Sequence, residues 1–387
     1  MRILFSSTWG YGHIFPMVPL ARACAALGHD VRWATSVDGC AHVAAAGINA
    51  VPAGLSRESI DTLVESTRVS ATGVRPEDRA AFVFPRMFGA AATPIMFADL
   101  LPIARDWGAQ LLVHEHAELA APLVGALLGI PAITHAFGGA IPTAILDDAS
   151  ARLAPLWAEH GLSIPDHAGC FTASYLDICP PRVQTVSTGH ITRIQPLRPV
   201  PYTGEPTSEM LEVLAMSGEP LVYVTLGTVQ GQSANQVAVL QSVIEGLDGL
   251  GVRILVTVGP GGDPGALGRQ AAHVAVRRFV SQTDVLPRCA AVVSHAGSGT
   301  VLGALSEGLP QLCLPQAADQ FRNADGVVAA GAGIALHPAY ATPDVIGAAV
   351  RRIMVEEQFR HAAAGIADDI RAMPAPEVVA AGLVRLT

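Results

Sequence analysis

The chain has 387 residues, 50% of them hydrophobic and 15% charged, so it has enough apolar side chains for more than one large core. The formal net charge is −9 and no run of basic residues occurs, which argues against nucleic acid or an anionic membrane surface as a partner. The sequence contains no lysine, which excludes a lysine Schiff base and a P-loop lysine.

Six cysteines are scattered along the chain without a CxxC pair, which indicates free thiols in a reducing compartment. The N-terminus starts directly with the pattern of a strand, without a charged and apolar leader. Glycine, proline or polar residues interrupt every apolar stretch, so none is expected to span a bilayer. These features predict a soluble, cytoplasmic protein without a membrane partner.

Strand and helix patterns alternate through the first half of the chain. A strand is predicted at residues 2–7, a loop at 8–14, a helix at 16–27 and a strand at 31–35. The alternation returns with a strand at 110–114, a helix at 117–128 and a strand at 132–135. Residues 56–85 and 137–169 show no clear period. Both are predicted to be irregular, the first as a mobile insertion with short helices.

A segment rich in proline and glycine at 180–219 is typical of a linker and precedes a second series. Strands are predicted there at 221–226, 253–258, 274–279, 291–294 and 311–314, followed by a helical tail at 343–386. The predicted fold class is therefore α/β, with two doubly wound Rossmann-like domains facing each other across a ligand-binding cleft.

A strand, a loop of small residues and the start of a helix are predicted from residue 292 onward. The unpaired N–H groups at a helix N-terminus, together with the helix dipole, suit a phosphate. Ser298 and Thr300 add hydroxyl donors, and His295 adds a donor that can also carry charge. An ordinary strand-to-helix turn with a Ser or Thr cap is the alternative.

Two further strand ends in the second half carry polar side chains. Thr228 follows Gly227 after the first strand and supplies a hydroxyl donor, although such a turn is ordinary by itself. Asp319 and Gln320 follow the strand at 311–314, and a carboxylate beside an amide suits vicinal sugar hydroxyls. Asp319 would serve equally well as a helix N-cap.

The first βα loop holds Gly10, Gly12 and His13, but Phe15 replaces the third glycine of a dinucleotide-binding turn. A histidine beside a helix N-terminus has its charged form disfavoured, so His13 is a candidate general base. A histidine that packs against its own helix is the alternative. Glu115 ends a strand at the same sheet edge and is a candidate to orient the His13 ring.

His114, Glu115 and His116 are adjacent, which raises the question of a metal site. Neighbouring residues on a strand face opposite sides of the sheet, so they do not easily share one ion. No metal site is predicted.

Large apolar residues cluster in the irregular parts of the first half, and most of them are expected in the core. A subset lining a pocket for a flat apolar ligand is a hypothesis. The candidates for acceptor binding are Phe84, Phe88, Phe137 and Trp157.

With these motifs assembled, the sequence resembles the GT-B glycosyltransferases of family 1, particularly the bacterial enzymes that glycosylate polyketides and related natural products. The resemblance spans essentially the whole chain. It is carried by His295-Ala-Gly-Ser-Gly-Thr followed by Pro315-x-x-x-Asp-Gln. It implies an inverting transferase that moves a deoxysugar from a nucleotide sugar to a hydrophobic aglycone in antibiotic biosynthesis, with no metal and no permanently bound cofactor.

The resemblance also implies a role for each matched position. His13 is the catalytic base and Glu115 orients it. The donor diphosphate is held by Thr228, His295, Gly297, Ser298, Gly299 and Thr300. The donor base is bound by Phe279, Val280 and Gln282, and the donor sugar by Asp319 and Gln320. Ser281 replaces a proline that the family often has in the base-binding segment.

The implied domain organisation is an acceptor-binding domain over residues 1–200, a linker over 201–218 and a nucleotide-sugar-binding domain over 219–370. A C-terminal helix over 371–387 is expected to pack back on the first domain. The expected partners are thus a small-molecule aglycone and a nucleotide sugar, and a homodimer remains open.

One departure from the family bears on the donor nucleotide. Members that use UDP-sugars generally carry a glutamate eight residues after the phosphate-loop histidine, where this chain has Gly303. A thymidine donor has no 2′-hydroxyl to pair with that carboxylate, which favours a TDP-sugar.

Several alternatives remain open at this stage. A transferase of the same fold that uses a UDP-sugar is one, and a non-catalytic nucleotide-sugar-binding or auxiliary homologue is another. A nicotinamide dehydrogenase built on Gly10 and Gly12 is a third, with Asp38 as its ribose-binding acid.

Overall fold

A computed structural model describes residues 1–202, 218–227 and 234–386. The chain divides into two compact units. The first contains Met1–Cys179, Val186–Val200 and Met373–Thr387, and the second contains Pro180–Thr185 and Pro201–Ala372. Most of the predicted linker at 201–218 lies outside the described residues, as does Thr228.

The first unit is built on a parallel seven-stranded sheet with the order β3-β2-β1-β4-β5-β6-β7. Its strands are β1 Arg2–Ser6, β2 Asp30–Thr35, β3 Asn49–Pro52, β4 Leu111–Glu115, β5 Ala132–His135, β6 Tyr175–Asp177 and β7 Ile194–Pro196. The central strand β4 is buried along its whole length, as expected of a parallel strand covered on both faces. Ser6 at the end of β1 pairs with His114 of β4, so both strands end at the same sheet edge.

Helices cover this sheet and supply the rest of the first core. They span Tyr11–Ile14, Val18–Ala26, Val37–Ala45, Arg57–Ser70, Arg79–Phe84, Thr93–Trp107, Ala121–Leu128, Thr143–Glu159 and Pro376–Gly382. Shorter helical turns lie at Phe15–Met17, Pro76–Asp78, Pro85–Ala92, Asp166–Gly169 and Leu383–Leu386. Gly28 ends the first βα helix with a φ of 82°, a conformation that only glycine adopts without strain.

The second unit has a parallel six-stranded sheet with the order β10-β9-β8-β11-β12-β13. Its strands are β8 Leu221–Thr225, β9 Arg253–Thr257, β10 Val274–Arg277, β11 Cys289–Ser294, β12 Gln311–Cys313 and β13 Gly333–Ala335. Its helices span Ala234–Leu247, Gln282–Val285, Ser298–Ser306, Gln320–Ala329, Pro343–Val355 and Glu357–Ala372, with shorter turns at Pro264–Leu267, Leu286–Arg288 and Pro338–Tyr340. The prediction of two doubly wound, Rossmann-like α/β domains is confirmed.

Several local predictions for the first unit are wrong. Helical structure begins at Tyr11 rather than at Pro16, so His13 lies in a helical turn instead of a loop. The segment predicted as irregular at 137–169 contains the helix Thr143–Glu159. This helix buries Leu146, Ala149 and Leu153 at helical spacing, and that periodicity was present in the sequence.

The insertion predicted at 56–85 also proves to be largely helical, and it continues into a helical stretch over Pro76–Trp107. This stretch of 32 residues contains an 18-residue window with a mean hydropathy of 1.5, so it is long and apolar enough to cross a membrane by length and composition only. Phe97 and Leu100 are buried in the core of the first unit, at 6% and 0% exposure. Packing in this core accounts for the apolar face of the helix.

Candidate active site

The first cluster of candidate residues lies where β1 and β4 end. His13 lies in the turn after β1, and Glu115 is the last residue of β4. The ring Nδ1 of His13 lies 3.1 Å from Oε1 of Glu115, whose side chain is fully buried. An ionised carboxylate only accepts hydrogen bonds, so Nδ1 carries the hydrogen and the lone pair of a neutral ring lies on Nε2. This is the tautomer that a general base requires.

Thr8 is a further partner of Glu115 that sequence reasoning did not identify. Its backbone N–H and its hydroxyl both donate to Glu115 Oε1, at 3.2 and 2.7 Å, while Ala117 N–H donates to Oε2 at 2.6 Å. Burial by itself would raise the pKa of Glu115, but the charge of His13 and these hydrogen bonds outweigh it and lower the pKa. Glu115 is therefore held as a carboxylate.

The neighbouring ionisable residues face other partners. His114 Nδ1 lies 2.7 Å from the carbonyl oxygen of Glu118, and its Nε2 lies 2.9 Å from the Thr134 hydroxyl. Burial lowers the pKa of His114 to about 4, so this ring is neutral. Within the described residues, no three His, Cys, Asp or Glu side chains form a group that could hold a metal ion.

Three of the four predicted acceptor-binding aromatics are grouped near His13. The ring centroids of Phe137 and Phe88 lie 5.1 and 5.5 Å from that of His13, and Phe84 lies 5.1 Å from Phe88. All three phenylalanines are half-buried. Trp9, which the sequence reasoning missed, extends the group at 5.7 Å from Phe88.

Trp157 is the exception, and its prediction as a ligand-lining residue is wrong in this structure. Its side chain is only 3% exposed and packs in the core of the first unit, on the buried face of the helix Thr143–Glu159. A large apolar ring on the buried face of a helix is removed from water by the hydrophobic effect.

The predicted phosphate loop of the second unit, residues 295–297, follows β11 and leads into the helix Ser298–Ser306. The residue at the N-cap is Gly297, and no side chain caps this end of the helix. The first N–H groups of a helix have no partner within the helix, so this terminus offers donors to an anion. Gly299 is exposed in the first turn, and a Cβ there would meet nothing within 4 Å.

His295 lies between two glycines. A Cβ at Gly227 would come within 2.6 Å of His295 Nε2, and a Cβ at Gly297 would come closer still. The ring position thus requires glycine at both places. Burial lowers the pKa of His295 to about 4, so the ring is neutral and is suited to donate a hydrogen bond rather than to carry charge.

The predicted sugar-binding pair is engaged in internal hydrogen bonds. Asp319 precedes the helix Gln320–Ala329 but makes no side-chain cap; instead its Oδ2 accepts from the Ser298 hydroxyl at 2.6 Å. Asp319 thus occupies the predicted N-cap position, but its carboxylate does not cap the helix and is turned toward Ser298. Gln320 Oε1 accepts from the backbone N–H groups of Gln316 and Ala317, at 2.7 and 2.9 Å.

The predicted base-binding residues follow β10. Gln282 Nε2 donates to the Thr300 hydroxyl at 3.1 Å, which joins the base-binding segment to the phosphate loop. Val280 is 1% exposed and its side chain belongs to the core, so only its backbone is suited to contact a ligand. Phe279 is half-buried. A Cβ at Gly303 would lie 3.8 Å from Gln282 Oε1, so this position faces the same segment.

Comparisons with known proteins agree with this geometry. Residues 22–213 match the N-terminal domain of the erythromycin biosynthesis protein CIII-like family, and residues 252–386 match its C-terminal domain. The chain belongs to this family of glycosyltransferases. It is a natural-product glycosyltransferase, and the dehydrogenase alternative is excluded. Consistent with this, Asp38 pairs with Arg57 at 3.0 Å.

The glycosyltransferase is similar along its whole length to characterised relatives. It is 33% identical to the L-demethylnoviosyl transferase of Streptomyces niveus and 33% identical to the elloramycin glycosyltransferase ElmGT of Streptomyces olivaceus, with 99% of this chain and 97% of each relative covered. Among solved structures, SsfS6 of Streptomyces sp. SF2575 complexed with thymidine diphosphate is 28% identical, with a TM-score of 0.78 over 100% of this chain and 99% of that chain.

Proposed function

We propose that this glycosyltransferase moves a deoxysugar from a TDP-sugar to a hydroxyl group of a hydrophobic aglycone, with inversion at the anomeric carbon. The observation that carries the proposal is the contact between His13 and Glu115, because a pure binding protein needs no oriented base. The phenylalanines around His13 supply an apolar surface for the acceptor. TDP as the donor nucleotide is supported by Gly303 and by the complex of SsfS6 with thymidine diphosphate.

The proposed reaction is a single displacement. Nε2 of His13 takes the proton of the acceptor hydroxyl, and the acceptor oxygen attacks the anomeric carbon while the bond from that carbon to the diphosphate oxygen breaks. Glu115 stabilises the imidazolium that forms, and the proton passes to solvent afterwards. TDP leaves with a developing negative charge, which the N-terminus of the helix Ser298–Ser306 stabilises.

Donor recognition is assigned to the second unit in the same proposal. Phe279, the Val280 backbone and Gln282 bind the base. Thr300 and the loop from His295 to Gly299 hold the diphosphate, and Asp319 with Gln320 binds the sugar hydroxyls. Thr228, which lies outside the described residues, is kept as a further diphosphate-binding position. We further propose a cytoplasmic enzyme that needs no metal and no permanently bound cofactor.

Two measurements test this function. Calorimetric titration with TDP, UDP and NAD side by side should give tight binding of TDP alone, whereas a preference for UDP would refute the donor assignment. His13→Ala should abolish sugar transfer while TDP affinity stays unchanged, since the ring acts on the acceptor proton. Transfer at the wild-type rate by this variant would refute the assignment of His13 as the base.

A further inference from the structure

The side chain of Asn323 forms hydrogen bonds with both loops that are assigned to donor binding, the phosphate loop and the loop that contains Asp319. Nδ2 of Asn323 lies 2.9 Å from the carbonyl oxygen of Ala296, 3.0 Å from the Ser298 hydroxyl and 2.8 Å from Asp319 Oδ2. A carbonyl and a carboxylate only accept hydrogen bonds, so the nitrogen of the amide, rather than its oxygen, must face them. Asn323 therefore donates to the phosphate loop and to the sugar-binding carboxylate at the same point.

Both of these loops contain backbone in an unfavourable conformation. Ala296 has a φ of 62° and Ala318 a φ of 55°, in the left-handed region that L-residues other than glycine rarely adopt. Ala296 is fully buried, and its N–H donates to the Ser294 hydroxyl at 3.1 Å while its carbonyl accepts from Asn323. Such strain persists only where the surroundings hold the backbone in place, and it clusters at functional sites.

We propose that Asn323 is a positioning residue of the donor site. It fixes the spacing between the phosphate loop and Asp319, so that a nucleoside diphosphate and its attached sugar are received together. This inference rests on the proposed function. Asn323 acts through Ala296 and Asp319 and needs no contact with the donor. Its removal should therefore weaken the binding of an intact nucleotide sugar more than the binding of the nucleotide diphosphate alone.

The test compares TDP with TDP-glucose as calorimetric probes. Asn323→Leu keeps the side-chain size and removes the donor, and Asp325→Asn, an exposed position on the same helix, is the control. We expect Asn323→Leu to lower the affinity for TDP by about threefold and the affinity for TDP-glucose by about thirtyfold. Only the sugar needs Asp319 in its correct position. The control should bind both probes like the wild type.

Asn323→Asp separates positioning from simple support of the fold. A carboxyl group donates only when it is protonated, and the charge of Asp319 together with the Ala296 carbonyl raises the pKa of the introduced group. The affinity of Asn323→Asp for TDP-glucose, relative to wild type, should therefore recover as the pH is lowered from about 8 to about 5.5. The affinity of Asn323→Leu for TDP-glucose should not recover at low pH.

Three results would overturn the inference: no loss in Asn323→Leu, equal losses for TDP and TDP-glucose, or no recovery of Asn323→Asp at low pH. Failure of the assignment of TDP as the donor nucleotide can be distinguished from failure of this inference. If the wild type prefers UDP, the TDP proposal is refuted, and the same comparison is made with UDP and UDP-glucose. If the wild type binds TDP-glucose no more tightly than TDP, the role of Asp319 and this inference fail together.

Discussion

The ring of His13 and the carboxylate of Glu115, 102 positions apart in sequence, are brought to 3.1 Å because β1 and β4 are neighbours in one parallel sheet. Three further hydrogen bonds, two from Thr8 and one from the Ala117 N–H, hold the carboxylate itself. The orientation of the proposed base is thus determined by buried backbone and hydroxyl groups rather than by mobile surface side chains.

Replacing Glu115 by glutamine should lower kcat for sugar transfer by about 10²- to 10⁴-fold, because an uncharged amide neither fixes the ring tautomer nor stabilises the imidazolium. TDP affinity should stay within about twofold of wild type, since Glu115 lies in the other unit from the proposed donor site. Steady-state kinetics and calorimetry measure the two quantities. Glu159→Gln, an exposed position in the first unit, is the control. A kcat unchanged by Glu115→Gln would contradict the proposed dyad.

Glu118 should make the stability of the fold depend on pH. Burial raises the pKa of Glu118 to about 7 from 4.5, although its carboxyl group accepts hydrogen bonds from Ser6 and Ala120. Between these values the folded chain holds a proton that the unfolded chain has lost, so the contribution of this group to the free energy of unfolding falls as the pH rises. Glutamine cannot titrate and would donate to the Ser6 hydroxyl instead.

The melting temperature of Glu118→Gln relative to wild type should therefore rise by about a few degrees between pH 5 and pH 8. Thermal unfolding followed by circular dichroism at several pH values measures this difference. Glu58→Gln, at an exposed position, should show no such trend. A difference that is constant with pH would mean that Glu118 has an ordinary pKa in the folded state.

Replacement by alanine should have different effects on stability at Gly297 and at Gly299. A Cβ at Gly297 would collide with the His295 ring, so Gly297→Ala should displace that ring. This variant should have a lower melting temperature and an affinity for TDP that is lower by at least about tenfold. A Cβ at Gly299 meets no protein atom, and alanine favours a helix, so Gly299→Ala should keep the melting temperature.

If the backbone of Gly299 approaches the diphosphate as proposed, Gly299→Ala will still weaken TDP binding, because the added methyl group then meets the ligand. Calorimetry and thermal unfolding on both variants separate the two effects. Wild-type affinity in Gly299→Ala would remove this residue from the diphosphate site, and wild-type affinity in Gly297→Ala would show that the His295 ring is not needed there.

Gly303→Glu should shift the nucleotide preference toward UDP. A carboxylate at this position can accept a hydrogen bond from the ribose 2′-hydroxyl, which a thymidine nucleotide lacks. The Cβ would lie 3.1 Å from Leu286 Cδ1, so packing must adjust and both affinities should fall. The informative quantity is the ratio of UDP to TDP affinity, which should be about tenfold higher in Gly303→Glu than in the uncharged control Gly303→Gln. Equal ratios in the two variants would contradict the argument from Gly303.

Local sequence patterns predicted much of the fold, and the exceptions have physical causes. Strands such as Ala132–His135 were predicted from short apolar runs, and Gly28 correctly marked a helix end. The short strands Asn49–Pro52, Tyr175–Asp177, Ile194–Pro196 and Gly333–Ala335 were missed. Three of them lie at sheet edges and Tyr175–Asp177 lies beside one, and all four are defined by pairing with a neighbour rather than by their own composition.

Local sequence patterns were sufficient to predict the α/β class, a helix after the small-residue loop that follows β11 and the position of Glu115 at a strand end, because these depend on residues close together in the chain. Tertiary structure alone decided which of these groups meet. It placed Thr8 against Glu115 and turned the carboxylate of the N-cap residue Asp319 toward Ser298 instead of its own helix. Such contacts depend on strand order and on burial, which couple positions 107 residues apart in the first case and 21 apart in the second and leave no local signal in the sequence.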